Sequence, residues 1–329
     1  MPINGPTIAA IETLRAAESG EIVTTPMVRC AGLEMLLGGD TQIFAKLEFL
    51  QRTGTFKARG ALSVVKGLTV AQLDTGVTAV SAGNHAIATA FAAQVVGTSA
   101  KVVMLATASP VRIEACRSYG AEVVLVDDVH TAFSVAEQIQ GEEGRFFVHP
   151  FEGEAVAAGT GVVGLEICEQ CADFDTVVVS IGGGGLIGGI ANAIKQIRPE
   201  CEMIGVEPEG ADSMHRSFAA NEPQAIDMIQ TIADSLGAPF ALPYSFELCR
   251  QHVDRLVMVS DKQLRTTMGL LFRSMKIAVE PACAATTAAL LGPLRDQLAG
   301  KSVVLVMCGS NIDWSTFAAQ ALFEDGDAA

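Results

Sequence analysis

Aromatic and charged residues are scarce in this chain of 329 residues: aromatics make up 5% and charged residues 18%, with Trp314 as the single tryptophan. Half of the sequence is nevertheless hydrophobic, so valine, isoleucine, leucine and alanine must fill the core. That composition is typical of parallel α/β sheets, whose strands are buried on both faces. The length favours two domains rather than one.

Lysine and arginine are also few, and the formal net charge is −15. This balance argues against a surface for nucleic acid or for an anionic membrane. The sequence has no apolar run of the ~18 residues that a membrane span needs. It also lacks, at its N-terminus, the basic start and apolar stretch of a signal peptide. We therefore expect a cytoplasmic protein without a membrane or nucleic-acid partner.

A disulfide framework is missing as well, although eight cysteines are spread from Cys30 to Cys308. Cys168 and Cys171 have CxxC spacing, but they lie in a stretch of helical character, and the sequence offers no second pair to complete a zinc site. We interpret all eight as free structural thiols.

Short β-branched runs alternate along the chain with alanine- and leucine-rich stretches of helical length. Buried strands are predicted at 78–80, 100–105, 121–126, 176–180, 203–207 and 302–307. Helical patterns lie between them at 86–94, 187–197 and 283–294. This rhythm predicts open, mostly parallel sheets with right-handed crossovers, which bind ligands at the carboxyl ends of their strands.

The strand and helix patterns also suggest where the chain divides. Residues 76–148 contain three strand–helix pairs, and we predict that they form a small domain. Residues 1–75 have too few strand patterns to stand alone, so we assign them, together with 149–329, to a large domain. The predicted fold class is α/β, with two open, mostly parallel αβα-sandwich domains.

Lys57 lies in the run TGTFKARGA (53–61), among small residues, an aromatic ring and glycines. Such surroundings suit an amine that is shielded from water. Desolvation lowers the pKa of a lysine and frees its lone pair to form an imine. Taken alone, the run favours a surface lysine that follows a loop, because lysines are seldom buried.

The second segment, SAGNHA at 81–86, directly follows a predicted strand. Ser81 and Asn84 are residue types that cap helices, and Gly83 allows a ligand to approach the backbone N–H groups. The loop is suited to a carboxylate, and the alternative is an ordinary helix cap. We interpret His85 as a structural hydrogen-bonding residue rather than a base.

Four consecutive glycines at 182–185 follow the predicted strand 176–180 and precede a helical pattern. Their backbone N–H groups are not covered by side chains, and the helix adds the positive end of its dipole. This pattern predicts a phosphate-binding loop, with a flexible loop as the alternative.

The fourth segment, CGSN at 308–311, follows the last predicted strand. A thiol there could face the nitrogen of a heteroaromatic ring and leave it largely unprotonated.

Together and in this order, the four segments resemble the serine/threonine dehydratase family of fold-type II pyridoxal-phosphate enzymes, which includes serine racemase. The resemblance runs from about residue 22 to residue 323. It includes KLE at 46–48, HPF at 149–151, TIAD at 231–234 and EP at 280–281. It implies the tryptophan synthase β-like fold, pyridoxal 5′-phosphate as the cofactor, an amino acid as the substrate, and a homodimer or higher homo-oligomer.

By this resemblance Lys57 would hold the cofactor as a Schiff base and act as the catalytic base. The other cofactor-binding residues would be Phe56, Asn84, Gly182, Gly183, Gly184, Gly185, Leu186 and Cys308. The substrate would lie on Ser81, Ala82, Gly83, Asn84 and His85. The resemblance implies a dehydratase (ammonia-lyase) that converts a 3-hydroxy-L-amino acid to a 2-oxo acid and ammonia by β-elimination of water.

Some positions depart from the family pattern. Ala82 stands where serine racemase has a serine that acts on the cofactor face opposite the lysine, so we expect elimination rather than racemisation. Thr160 replaces a frequent glutamine, and Ser235 and Ser310 replace more usual glycines. We predict that these three changes lie on the substrate side, which leaves room for a substrate bulkier or more polar than serine or threonine.

Three alternatives stay open on the sequence. An amino-acid racemase would have the same fold. A nicotinamide-dependent dehydrogenase would use the GxGxxG at 183–188 and Glu207 at the end of the next strand, but it leaves Lys57 and the loop 81–86 without a role. A non-catalytic carrier or sensor would be expected to have lost one of those two segments. We predict no metal site, because Ser213 stands where relatives that bind a cation beside Glu207 tend to have a carboxylate.

Overall fold

The computed structural model describes residues 3–38, 40–81 and 83–322, without the side chains of Val129 and His130. Ala82, which the sequence analysis assigned to the substrate loop, lies outside the described residues. Within these ranges every strand belongs to one of two sheets, one of six strands and one of four.

The strands of the described residues are β1 (Met27–Arg29), β2 (Gln42–Lys46), β3 (Val77–Val80), β4 (Ala100–Leu105), β5 (Glu122–Val126), β6 (Phe146–Phe147), β7 (Thr176–Ser180), β8 (Glu202–Pro208), β9 (Arg255–Val259) and β10 (Ser302–Val306). The larger sheet has the order β1-β2-β10-β7-β8-β9, and the smaller has the order β5-β4-β3-β6. Only β1 and β2 pair antiparallel; the other neighbours are parallel. The predicted α/β fold with mostly parallel sheets is confirmed, and all six predicted strands are present.

The helices of the same ranges are α1 (Ile8–Ala17), α2 (Ala31–Leu37), α3 (Lys57–Lys66), α4 (Val70–Thr75), α5 (Asn84–Val96), α6 (Pro110–Ser118), α7 (Val129–Glu143), α8 (Glu154–Gln170), α9 (Gly185–Ile197), α10 (Ser213–Ala220), α11 (Pro243–His252), α12 (Asp261–Met275), α13 (Pro281–Leu291) and α14 (Trp314–Gln320). The helical patterns predicted at 86–94, 187–197 and 283–294 correspond to α5, α9 and α13. None of these helices combines the length and the apolar character that a membrane crossing requires.

The smaller sheet is built from strands between residues 77 and 147, and the larger sheet from strands on either side of that segment. Helix α3 lies where the two parts meet. Its buried residues Ala58, Ala61 and Leu62 belong to the hydrophobic cluster of the smaller sheet. Helix α3 also packs against α8. The domain boundaries at 75/76 and 148/149 stay a prediction.

A group of four buried charged residues fixes the start of α3. Arg59 donates hydrogen bonds to Glu48 and to Glu166, each with a donor–acceptor distance of 2.8 Å. Lys46 Nζ lies 2.5 Å from Glu166 Oε2. All four side chains are fully buried, and the two positive charges balance the two negative ones. Burial alone would raise the pKa of the Glu48 carboxyl, but Arg59, Lys46 and Thr25 together outweigh it and hold that pKa below its ordinary value. This group ties β2 and α8 to the turn of α3 that begins at Lys57.

Candidate active site

A cavity of about 320 Å³ lies where residues that follow β3 meet residues that follow β7 and β10. Its lining contains every predicted site residue that the structure describes: Phe56, Lys57, Ser81, Gly83, Asn84, His85, Gly182, Gly183, Gly184, Gly185, Leu186 and Cys308. The four sequence segments therefore meet in one place, and three of them follow the carboxyl ends of parallel strands. The roles assigned to these residues stay predictions.

Backbone contacts set the position of Lys57. Phe56 N donates to the carbonyl oxygen of Cys308 over 3.1 Å, which joins the start of α3 to the end of β10. Thr55 Oγ1 accepts a hydrogen bond from Lys57 N at 2.9 Å. The residue that begins α3 is thus held against the segment that carries the cavity's buried thiol.

The amine of Lys57 is partly buried and has few partners that could stabilise its charged form. Its Nζ donates to the carbonyl oxygen of Pro150 over 2.6 Å and lies 5.1 Å from the centre of the Phe56 ring. Burial lowers the pKa of Lys57 to about 8, against the opposing effects of Cys308 and Glu280. A larger neutral fraction at mildly alkaline pH makes the amine both a nucleophile and a proton acceptor.

The glycine loop has no space for side chains. A Cβ on Gly183 would overlap the ring of Phe151, and one on Gly185 would lie 2.5 Å from the Phe151 carbonyl oxygen. Gly184 has a backbone φ of +89°, a conformation that residues with a side chain rarely adopt. The first N–H groups of α9 have no partner within that helix. Bare backbone at a helix start fits a phosphate group.

Asn84 and Glu280 form a buried pair beside Lys57. Asn84 Nδ2 donates to the two carboxylate oxygens of Glu280 over 2.8 and 3.1 Å, and Asn84 Oδ1 accepts from Asn311 Nδ2 at 2.9 Å. Burial raises the pKa of Glu280 to about 7, although Arg112 opposes the shift. Glu280 belongs to the motifs that carry the family resemblance, but its sequence context predicts no role for it.

Arg112 on α6 is a site residue that the sequence analysis missed. Its Nε donates to the carbonyl oxygen of Asn311 over 2.9 Å, its Nη1 to Asp234 over 2.6 Å, and its Nη2 lies 3.5 Å from Glu280. A Cβ on Gly83 would lie 2.8 Å from the guanidinium, so Arg112 directly supports the loop 81–85. Its hydrogen-bonding partners lie 122 and 199 positions away in sequence, so no local pattern could reveal them.

We expect Arg112→Ala to raise KM for the substrate by roughly 10- to 100-fold, since charge-assisted hydrogen bonds of about 1.5–3 kcal/mol are lost. kcat should change less, because Arg112 does not contact Lys57. Arg112→Lys should give an intermediate KM, since it restores the charge without the planar fork. Steady-state kinetics test this, with exposed Arg117→Ala on the same helix as the control. Equal KM values for the Arg112 and Arg117 variants would contradict the assignment.

His85 is held in its neutral form. Its Nε2 lies 2.7 Å from the carbonyl oxygen of Val148. Burial, with a smaller contribution from the charge of Lys57, lowers the pKa of His85 to about 3. Since the carbonyl can only accept, Nε2 carries the proton and donates. His85 therefore positions the start of α5 against the end of the smaller sheet and is not a base near neutral pH.

Two further hydrogen bonds involve serine side chains that line the cavity. Ser81 Oγ accepts a hydrogen bond from Gly83 N at 3.1 Å, which shapes the loop before α5. Ser180, at the end of β7, donates its hydroxyl to Cys308 Sγ over 3.5 Å. Ser180 also lines the cavity, although the sequence analysis did not single it out.

The prediction that three changed positions lie on the substrate side stays a prediction. Ser235 lines the cavity and accepts a hydrogen bond from Asn84 Nδ2 at 3.2 Å. Thr160 lines a much smaller cavity with Lys57 and His85, and it donates to the carbonyl oxygen of Gly185 at 2.8 Å where α8 packs on α9. Ser310 uses its backbone N–H to bind the carbonyl oxygen of Gly54 and does not belong to the cavity lining. Helix packing explains why a threonine stands at position 160, because its hydroxyl fills the space beside Gly189 of α9.

Glu207 is occupied by a structural contact. Its carboxylate accepts hydrogen bonds of 2.8 Å from the N–H groups of Met214 and His215 and lies 2.5 Å from His215 Nδ1. The carboxylate thereby caps α10, a use that its position at the end of β8 did not reveal. Glu207 is not among the residues that line the cavity with the glycine loop. Among the described residues, no cluster of His, Cys, Asp and Glu has the makeup of a metal site.

Comparison with known proteins agrees with this geometry. The sequence model of the pyridoxal-phosphate-dependent enzyme family matches residues 18–309. Phenylserine dehydratase of Ralstonia pickettii is 52% identical over 313 residues, which cover 95% of each chain. The catabolic L-threonine dehydratase of Escherichia coli K12 is 39% identical and covers 90% of each chain. Maize serine racemase superposes with a TM-score of 0.90 at 31% identity, covering 96% of this chain and 97% of that one.

Proposed function

Since the chain belongs to the family of pyridoxal-phosphate-dependent enzymes, we propose that it is an ammonia-lyase that eliminates water from a 3-hydroxy-L-amino acid to give a 2-oxo acid and ammonia. The observation that carries the proposal is the partly buried amine of Lys57, which shares one cavity with the glycine loop and the loop 81–85. Relatives named as phenylserine and threonine dehydratases support the reaction class.

Pyridoxal 5′-phosphate is the cofactor of this family, and the residues of the cavity fit it. We assign the covalent attachment to Lys57, the phosphate to the backbone of 182–186, the ring nitrogen to Cys308 and the ring hydroxyl to Asn84, with Phe56 beside the ring. The fit rests on the glycine loop, in which a side chain would overlap Phe151. When bound, the cofactor supplies an electron sink for negative charge at the α-carbon of the substrate.

The chain itself supplies binding, orientation and proton transfer. The N–H groups at the start of α5 bind the substrate carboxylate, and Gly83 keeps side chains away from it. The neutral amine of Lys57 takes the proton from the α-carbon. Neutral His85 keeps the start of α5 in place without competing for that proton. Closure of the cavity between the two sheets excludes water from the reacting atoms.

The competing functions have less support. Glu207, on which the dehydrogenase interpretation depended, caps α10 and does not face the cavity, and the family assignment excludes a nicotinamide enzyme. An amino-acid racemase of the same fold is disfavoured by the alanine at position 82. Product analysis separates the two reactions, because a racemase returns amino acid instead of oxo acid.

We also propose that the protein is cytoplasmic and acts as a homodimer or higher homo-oligomer. All eight cysteines are free thiols, as expected of a protein in a reducing compartment. The oligomeric state rests on the resemblance to the dehydratase family.

The purified protein should release ammonia and 2-oxo acid in equal amounts from at least one of L-serine, L-threonine and L-threo-3-phenylserine. Borohydride reduction followed by peptide mapping should find the cofactor on Lys57. Conversion of L- to D-amino acid without ammonia would instead identify a racemase. A cofactor on any other lysine would refute the assigned site.

A further inference from the structure

Part of the cavity lining carries neither charge nor hydrogen-bonding side chains. On the side of the smaller sheet these residues are Val80, Val103, Leu105, Ala132, Phe133 and Phe147. The rest of the lining includes the charged and hydrogen-bonding side chains described above, such as those of Lys57, Asn84 and Arg112. The cavity therefore has a polar part, where the reaction would occur, and an apolar part.

The fold explains why this wall is apolar and where it lies. Val80, the last residue of β3, is the register partner of Val103 in β4, and Leu105 lies two residues further on the same face of β4. Helix α7 packs on these strands and brings Ala132 and Phe133 to the cavity. Because Val80 directly precedes Ser81, the apolar wall adjoins the loop assigned to the substrate carboxylate.

A second set of apolar residues comes from the segment between α10 and α11. Ile229, Leu236, Ala238, Pro239 and Phe240 line the same cavity. Ile229 is 39% exposed and Phe133 is 40% exposed, so each set includes a large apolar side chain that is partly open to solvent. Large apolar side chains left open in a pocket indicate a ligand that covers them.

An aromatic row connects the apolar part to the glycine loop. Phe147 in β6 is followed at alternate positions by His149 and Phe151, with ring centres 6.0 and 4.6 Å apart in edge-to-face geometry. Burial lowers the pKa of His149 to about 4, so this row is uncharged near neutral pH. Edge-to-face rows of this kind favour the addition of a further aromatic ring over an aliphatic chain.

We propose that the apolar part binds an aryl group on C3 of the substrate, so that the preferred substrate is a 3-aryl-3-hydroxy-L-amino acid. This inference rests on the proposed function and narrows its substrate class. A polar group on C3 would lose hydrogen bonds to water without finding partners there. The methyl group of threonine would leave most of the apolar wall uncovered.

The first test compares substrates of the holoenzyme. We expect kcat/KM for L-threo-3-phenylserine to exceed that for L-threonine by at least about 100-fold, since each additional buried methylene is worth about 10- to 200-fold. Equal values, or a preference for threonine, would overturn the aryl assignment while leaving the ammonia-lyase proposal intact.

The second test does not depend on turnover. L-Phenylalanine and L-alanine lack the 3-hydroxyl, so neither can lose water, and calorimetry on the holoenzyme measures their binding directly. We expect L-phenylalanine to bind about 100-fold more tightly. Equal dissociation constants would refute the aryl pocket. Tight binding of L-phenylalanine together with no ammonia release from L-threo-3-phenylserine would refute the ammonia-lyase proposal alone.

Variants locate the pocket. Phe133→Ala and Ile229→Ala should each lower the ratio of kcat/KM for phenylserine over threonine by about tenfold. Both residues are partly exposed, so the fold should tolerate the change. The matched control is Met228→Ala, because Met228 is 65% exposed beside Ile229 but does not line the cavity. An unchanged ratio in both pocket variants would place the aryl group elsewhere and overturn the inference.

Discussion

Replacement of Lys57 by alanine is expected to lower kcat/KM by at least about 10⁴-fold, because the variant loses both a general base and a covalent anchor. The amine is well placed for both tasks. It lies 2.6 Å from the carbonyl oxygen of Pro150, and burial lowers its pKa to about 8. Ammonia release under saturating cofactor measures the effect, and a circular dichroism spectrum identical to that of the parent protein establishes that folding is unaffected.

Two further variants separate the role of the amine from that of its charge. Lys57→Arg keeps a positive charge, but its guanidinium stays protonated and accepts no proton, so it should be as inactive as the alanine variant. Lys66→Ala, at the other end of α3, should keep normal turnover. Small primary amines added to Lys57→Ala should restore part of the activity. Normal turnover in Lys57→Ala would mean that another group is the base.

The predicted site residues share a feature that made them visible in the sequence. Lys57, the loop 81–86, the glycines at 182–185 and Cys308 are contiguous motifs, and the last three follow strong β-branched strands. The glycines and Cys308 follow β7 and β10, which are neighbours in the larger sheet, so their proximity follows from the strand pattern. The loop 81–86 follows β3 of the smaller sheet, and only the fold shows that it meets them. The backbone requirement of the glycine loop is local too, since Gly184 has a positive φ in the structure.

The residues that sequence reasoning missed act through distant partners. Arg112 reaches Asp234 and Asn311 across 122 and 199 positions, and no period or spacing encodes such a contact. Glu207 shows the opposite case. Its spacing from the glycine loop is that of a ribose-binding acid, but its carboxylate caps α10. A spacing identifies candidate positions, but only the fold decides which groups the side chain meets.

Four strands of the described residues were not predicted, and β1 and β6 among them are only three and two residues long. β9 has the apolar run LVMV at 256–259, which is a strand pattern. β2 instead begins with Gln42 and ends with Lys46, charged or polar residues that strand patterns disfavour. Lys46 is nevertheless fully buried, because Glu166 neutralises it 2.5 Å away. Tertiary charge pairing overrides the local pattern there.

The buried charges around α3 lead to the second large effect. Glu166→Ala is expected to lower the free energy of unfolding by about 3–5 kcal/mol, the cost of leaving buried charges without their partner. The change leaves Lys46 with only uncharged partners and removes one of the two carboxylates that bind Arg59. Urea denaturation followed by circular dichroism measures the difference.

Glu169→Ala is the matched control, because Glu169 lies one turn further along α8 and pairs with Arg15 at 2.7 Å on the surface. Solvent screens that pair, so its loss should cost less than about 1 kcal/mol. Glu166→Gln should fall between the two alanine variants, since it keeps hydrogen-bonding atoms but not the charge. If Glu166→Ala and Glu169→Ala unfold at the same urea concentration, the buried charges do not hold α3 in place. The position of Lys57, two residues before Arg59, would then depend on the backbone contacts of Phe56 and Lys57 alone.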